Sequence, residues 1–342
     1  MLPVAMTIGA SSYLIYHSMP GLHFLGGFLS DAMGVIQPLL IFLMLFLTFC
    51  TIEPKDLKPH RWHWWLLLIQ GGLFMVLGLV AVGIVRLLPV AAEKSVVLIE
   101  SAMLCFICPT ATAAAVVTRK LGGDVPGITT YTVLINLLAA LLVPIVIPLI
   151  QPESALGFWT SFGLILAKVF PLLITPCLCA WLVRYLVPSL HRKLVSYPDL
   201  AFYIWAVALT FAIAVTTRSI VHSTMSVGLI LMIAIVSLVC CVFQFAAGRF
   251  VGNQYKPRRR ASNAENEAEL LQRGKTVRKI TAGQSLGQKN TVFAIWLGYT
   301  FMTPETAIVG GLYSIWHNIY NSWQLNRSNN HTLSKHDNII DL

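Results

Sequence analysis

The chain has 342 residues, 56% of them hydrophobic and only 11% charged, with a mean hydropathy of +0.73 and a formal net charge of +10. A soluble domain is closer to one quarter charged, and apolar runs long enough to cross a bilayer recur along the whole length. A water-soluble protein built on a single core is thereby excluded, and the composition defines an all-α polytopic membrane protein.

With about 20 residues per crossing as the guide, ten transmembrane helices are predicted, at 2–17, 34–52, 63–88, 95–118, 126–150, 167–187, 200–216, 225–248, 284–302 and 304–325. Span one begins without a basic lead and reads poorly as a cleaved signal peptide. Trp62, Trp64 and Trp65 open span three just after Arg61, the placement expected of an aromatic belt at a membrane–water boundary. Span four is interrupted by Cys108-Pro109-Thr110-Ala111-Thr112. The stretch from Tyr255 to Thr281 is the only sizeable polar segment inside the chain. Its basic run at 256–260 is explained more simply by loop charge bias than by lipid headgroup binding, and its Ala/Glu-rich part at 263–272 suggests a short surface helix. Span nine opens on a second interruption, Gly283-Gln284-Ser285-Leu286-Gly287-Gln288-Lys289-Asn290-Thr291, about 175 positions after the first. Beyond Asn326 the polar tail is expected to be disordered.

Basic residues alternate cleanly between the two sides of this plan. The even-numbered connections and the tail hold nineteen of the 24 Lys and Arg, while Arg86, Lys94, Lys168 and Arg218 fall on the other side and Lys289 lies within a span. By the positive-inside rule both termini are cytoplasmic, in a multi-pass protein of the cell (inner) membrane. The positive charge therefore requires no nucleic acid. The seven cysteines all fall in apolar spans, and although Cys105 and Cys108 have C-x-x-C spacing, nothing around them looks like a zinc or redox module. They read as small packing residues.

Ten spans divide into five plus five, and an odd number per half forces the second half to insert upside down. Two inverted five-helix repeats follow, at 1–150 and 151–326, with a cytoplasmic loop at 251–282 and a cytoplasmic tail at 327–342. Each interruption is then the fourth element of its repeat. Loosened backbone at membrane depth survives only where protein or a water-lined cavity satisfies it, and paired interruptions of this kind mark a transporter's binding site. With no H-E-x-x-H and no carboxylate pair in the spans, an enzyme is not expected.

At these residues the chain resembles the bile acid:sodium symporter family. Cys108-Pro109 followed by small residues, Val116-Val117-Thr118, Gly122-Gly123-Asp124-Val125 and the 137–144 run look like that family's first crossing helix and its successor. Gly287-Gln288-Lys289-Asn290-Thr291 is similar to its second crossing helix, His317-Asn318 to its final motif, and the 56–62 linker to its turn between spans two and three. The resemblance implies a panel domain (spans one, two, six and seven) and a core domain in which spans four and nine cross as broken helices. It further implies an organic anion bound between the two domains and two sodium ions behind the crossover.

Carried over position by position, the resemblance implies cation ligands at Gln70, Thr132, Gln284 and Gln288. The family's Ser-Asn pair is replaced by Ala114-Ala115, its shared acid by Gln284 and an asparagine by Lys289. A charge at membrane depth costs about 2.5–3.5 kcal/mol or more, so Lys289 is read as a functional cation that stands in for sodium, or as a group that cycles a proton, against the plainer reading of a lysine snorkelling to an interface. Thr110, Thr112, Lys289, Asn290 and Asn318 are the candidate substrate contacts. Gln70, Thr132, Gln284, Gln288 and Lys289 form the candidate coupling site, with Gln70, Gln284 and Gln288 as the sodium ligands if sodium binds. Asn136 and Asn321 read as helix–helix hydrogen-bonding amides with substrate contact as the alternative, and His317 as a neutral hydrogen-bonded histidine rather than a titrating one. Glu100 reads as a residue near the outer surface or else a partner for a proton or cation within the core, and Glu305 as a helix-end cap.

The expected function is secondary transport of an organic anion, bile acid-like or another carboxylate or sulfonate, by alternating access, nominally with sodium. The alternatives are a proton-coupled or uncoupled carrier, or a sensor or scaffold of the same fold. No cofactor is expected beyond a possible sodium ion. The partners are the small anion and the lipid bilayer, and the sequence does not define an oligomeric state.

Overall fold

The computed structural model describes residues 2–87, 92–150, 157–197, 200–254 and 264–340. Among them it forms thirteen α-helices: α1 (Leu2–Ser18), α2 (Gly26–Cys50), α3 (Arg61–Leu87), α4 (Ala92–Ile107), α5 (Ala114–Lys120), α6 (Val125–Ile150), α7 (Gly157–Leu186), α8 (Pro188–Val195), α9 (Leu200–Val221), α10 (Val227–Gln254), α11 (Ala264–Gly287), α12 (Thr291–Phe301) and α13 (Ile308–Ile340). An almost wholly helical chain is what the bilayer requires, because helices satisfy their backbone polar groups internally.

Among the described residues, six helical segments are long and apolar enough to cross a membrane: Gly26–Cys50, Arg61–Leu87, Val125–Ile150, Gly157–Leu186, Tyr203–Val221 and Val227–Gln254. The remaining expected crossings fall short for identifiable reasons. Helix α1 has only 17 residues, the fourth and ninth elements are split in two, and α13 turns polar along its second half.

The helices pack in two groups. Helices α1, α2, α7 and α9 pack on one another, while α3, α4, α6, α10, α11 and α13 form the second group, with α6 against α7 between them. Contacts in the first half have counterparts in the second: α3 packs on α4 and α6 as α10 packs on α11 and α13, and α1 packs on α9 as α2 does on α7.

Small residues set the closest approaches. A Cβ on Gly248 would lie 2.3 Å from the Ala282 carbonyl oxygen, and one on Gly252 2.5 Å from that of Arg278. This G-x-x-x-G stripe brings the α10 and α11 backbones together, which in lipid gains packing that apolar burial alone does not supply. At the far end of α2, its last carbonyls lack intrahelical donors. Arg184 Nη1 donates to Ile52 O at 2.7 Å and the His191 ring nitrogen lies 2.9 Å from Cys50 O, so α7 and α8 cap α2.

Several expectations change. The segment at 251–282 is not a loop, since α10 runs to Gln254 and α11 begins at Ala264; the basic run at 256–260 lies outside the described residues. The tail at 327–342 is helical as far as Ile340 rather than disordered. Span six starts ten residues earlier than expected, at Gly157. Trp64 and Trp65 face outward as a belt should, but Trp62 is buried against His63, ring centroids 3.8 Å apart, and beside Tyr131.

Candidate functional site

The two interruptions meet. Helix α4 closes with Cys108 N donating to Leu104 O, after which Pro109 has no N–H to offer and disfavours helical backbone before it. Helix α11 ends at Gly287, where an added Cβ would lie 2.4 Å from the Phe245 ring. The freed segments pair as a short antiparallel bridge between Thr110 and Lys289. Ala111 N donates to Gln288 O at 3.1 Å, and Asn290 N to Pro109 O at 2.8 Å. The Thr110 hydroxyl donates to Ser285 O at 2.8 Å. Asn290 then caps α12, its Oδ1 accepting from Phe293 N at 3.2 Å. On the far side of the first break, α5 ends in a left-handed turn at Gly122, φ +75°. The next turn is tied to α11 by Asp124 N donating to Thr281 Oγ1 at 2.8 Å.

The orphan carbonyls at the broken ends are satisfied from neighbouring helices, as buried backbone requires. Gln244 Nε2 donates to Cys105 O at 3.1 Å, Gln70 Nε2 to Cys108 O at 2.9 Å, and Tyr313 OH to Gly287 O at 2.8 Å. Phe106 O accepts from Lys289 Nζ at 3.4 Å. Lys289 is 2% exposed, so the snorkelling reading is wrong: the ammonium points into the protein, at the C-terminal end of α4, where the helix dipole places partial negative charge. The thiols of Cys105, Cys108, Cys240 and Cys241 lie close enough to act on it electrostatically. Among the described residues no group of three or more His, Cys, Asp or Glu could hold a metal ion.

The expected sodium ligands are only partly available. Ala114 and Ala115 bring no side-chain oxygen. Gln70 Oε1 accepts from Tyr131 OH at 2.7 Å, and the Thr132 hydroxyl donates to Ile128 O at 2.9 Å. Gln284 directs its amide nitrogen to Asn321 Oδ1 at 3.2 Å and Gln324 Oε1 at 3.4 Å. The amide oxygens of Gln284 and Gln288 are buried without a hydrogen-bond partner, but no carboxylate joins them. A hard cation takes oxygen ligands, amide carbonyls among them, so these two oxygens are free to meet one but cancel none of its charge.

Other expected residues separate from the crossing. Asn318 donates to Ser314 O on its own helix at 2.6 Å. Thr112 is buried after the bridge. His317 sits edge-on to the Tyr313 ring with centroids 5.7 Å apart, and its Nδ1 is buried without a hydrogen-bond partner. Asn136 is 1% exposed with neither amide atom partnered, so it is not the helix–helix link expected of it. Glu100 is 1% exposed, not near a surface, and its carboxylate accepts from the Thr306 hydroxyl at 2.9 Å. Residues 283–287 also spell G-x-S-x-G, but Ser285 is fully buried inside α11 rather than on a strand-to-helix elbow.

A cavity of about 970 Å³ opens between α1, α2, α7, α9 and the C-terminal half of α12. It lies at the end of the bundle where α1 and α9 finish and α2 and α7 begin. Trp296, Tyr299 and Thr300 of α12 form one wall. Trp296 is six residues from the Asn290 cap, about 9 Å along the helix. None of Thr110, Thr112, Lys289, Asn290 or Asn318 lines it. Lys168, Arg218 and His222 do, and sequence reading passed over them because Lys168 and Arg218 counted only toward the charge of the outer side. Lys168 Nζ lies 5.6 Å from the centre of the Phe301 ring, and the His222 ring nitrogen lies 2.7 Å from Tyr13 OH.

Two interrupted helices that meet at their breaks inside an apolar bundle define a membrane transporter of the broken-helix kind. The model of the SBF-like CPA transporter family, related to the bile acid:sodium symporters, matches residues 21–325, and the chain belongs to that family. A comparison with curated proteins returns no match.

Proposed function

We propose that this protein is a secondary transporter of an organic anion, working by alternating access, with the Lys289 ammonium in the place of a coupling sodium ion. The observation that carries the reading is Lys289 Nζ on Phe106 O at the end of α4. A fixed cation there neutralises the half-helix dipole that would otherwise attract a diffusible one, and a second cation beside it would be repelled. In this reading the ten crossings are α1, α2, α3, α4–α5, α6, α7, α9, α10, α11–α12 and α13. The paired packing of the two halves supports their arrangement as inverted repeats. Helices α1, α2, α7 and α9 act as the panel, and the remainder as the core that rocks against it. The anion enters the cavity beside α12, and Thr110, Thr112 and Asn290 serve the crossing.

Uptake of a labelled anion into proteoliposomes tests this, with taurocholate and an aryl sulfonate as probes. Uptake is expected to be unchanged when a sodium gradient is replaced by potassium, and to fall at least about tenfold in Lys289→Ala, the loss of one well-placed charged hydrogen bond. Sodium-dependent uptake, or full uptake by Lys289→Ala, would remove the proposal. Binding without accumulation would favour a sensor of the same fold.

A further inference from the structure

We propose that the cavity selects a doubly charged anion, one end held at Lys168 and the other at Arg218. This rests on the anion-transport reading and narrows its substrate class. The two cations stand on different helices, Lys168 on α7 and Arg218 on α9, and both line the same space. No Asp or Glu is among the residues lining it. The ion pairs found among the described residues, Lys55–Glu53 and Arg184–Glu53, lie at the opposite end of the bundle. The walls between the two cations are largely apolar, with Phe42, Leu172, Phe211 and Trp296 among them. Low-dielectric walls focus the field of fixed charges into the space they enclose.

Charge balance then decides the ligand. A monoanion neutralises one of the two exposed cations and leaves the other without a counter-charge in the cavity. An anion with a charge at each end and an apolar middle satisfies both cations and the walls between them. A volume of about 970 Å³ is at the upper end of small-molecule sites, so the two charges need not sit on neighbouring atoms. Tyr16 on α1 also lines the space and carries a hydroxyl donor for a carboxylate that the ammonium and guanidinium leave partly unbonded, whereas the hydroxyls of Ser12 and Tyr13 are engaged with Gly9 O and the His222 ring.

The test uses the full-length protein in detergent and the dicarboxylates succinate, adipate and decanedioate, each against its monomethyl ester, with affinity read from the fluorescence of the cavity tryptophan or by calorimetry. At one or more chain lengths the diacid is expected to bind about fivefold tighter than its ester, the gain from one further ion pair in a water-accessible site, and the preference should shrink as salt is raised. Lys168→Gln and Arg218→Gln should each abolish the preference, while Lys168→Arg keeps it. Equal affinity for diacid and ester at every length, or a preference that survives both glutamine variants, overturns the dianion proposal and leaves anion transport standing. If none of these probes binds, and taurocholate and aryl sulfonates do not bind either, both proposals fall together.

Discussion

At the scale of single residues, Lys289 was conspicuous in the sequence because a cation inside an apolar span is costly. Its partner was not, because Phe106 O is a backbone atom 183 positions away that only the crossing brings near. The glutamines show the same limit. Gln70 looked like a cation ligand, yet its oxygen is taken by Tyr131 and its nitrogen by Cys108, partners that no local pattern specifies. Asn136 is the reverse case: an amide assumed to bond between helices has no partner at either atom. A buried unpaired polar group costs about 1–3 kcal/mol. If Asn136 serves packing alone, Asn136→Leu is expected to raise the unfolding midpoint in detergent by about 2–4 °C. A raised midpoint together with lost uptake would mark the amide as a transport group, and a lowered midpoint would show that the amide itself stabilises the fold.

At the scale of elements, the breaks were legible because Pro109 and the 283–287 glycines disrupt otherwise long apolar periods. Helix ends elsewhere were less so. Helix α7 starts at Gly157, well ahead of the expected 167, which places Lys168 eleven residues inside the helix rather than at its first turn. The α10–α11 contact offers a direct check of close packing. Gly248→Val would drive a side chain against the Ala282 carbonyl, 2.3 Å from the first added carbon. Backbone cannot yield as a side-chain tip does, so a loss of about 1–3 kcal/mol or more is expected, measured as a lowered unfolding midpoint. Gly72→Ala on α3, where nothing lies within 4 Å of the new carbon, should leave that midpoint unchanged or slightly higher.

At the scale of the whole molecule, composition points to the all-helical membrane class, and the distribution of Lys and Arg predicts an orientation for it. Exposed positions on the two ends test that orientation. In a cysteine-free background, Ser196→Cys beyond α8 should react with a membrane-impermeant maleimide only from the cytoplasmic side. Thr224→Cys, between α9 and α10, should react only from outside. Labelling with the sides exchanged would invert the topology and place the Lys168–Arg218 cavity on the cytoplasmic face. The cavity itself could not be read from the chain: its walls come from five helices spread over residues 12–300, and side-chain facing in spans that are apolar all round carries no periodic signal.

The bridge at the centre of the crossing is held mainly through main-chain atoms: Ala111 N to Gln288 O and Asn290 N to Pro109 O. Main-chain bonds are indifferent to which side chain each residue carries. A change of side chain at or around the bridge therefore leaves the joint in place, provided the new group fits the space. Holding the two broken helices together and choosing which solutes they meet are thus separable tasks at this point in the chain.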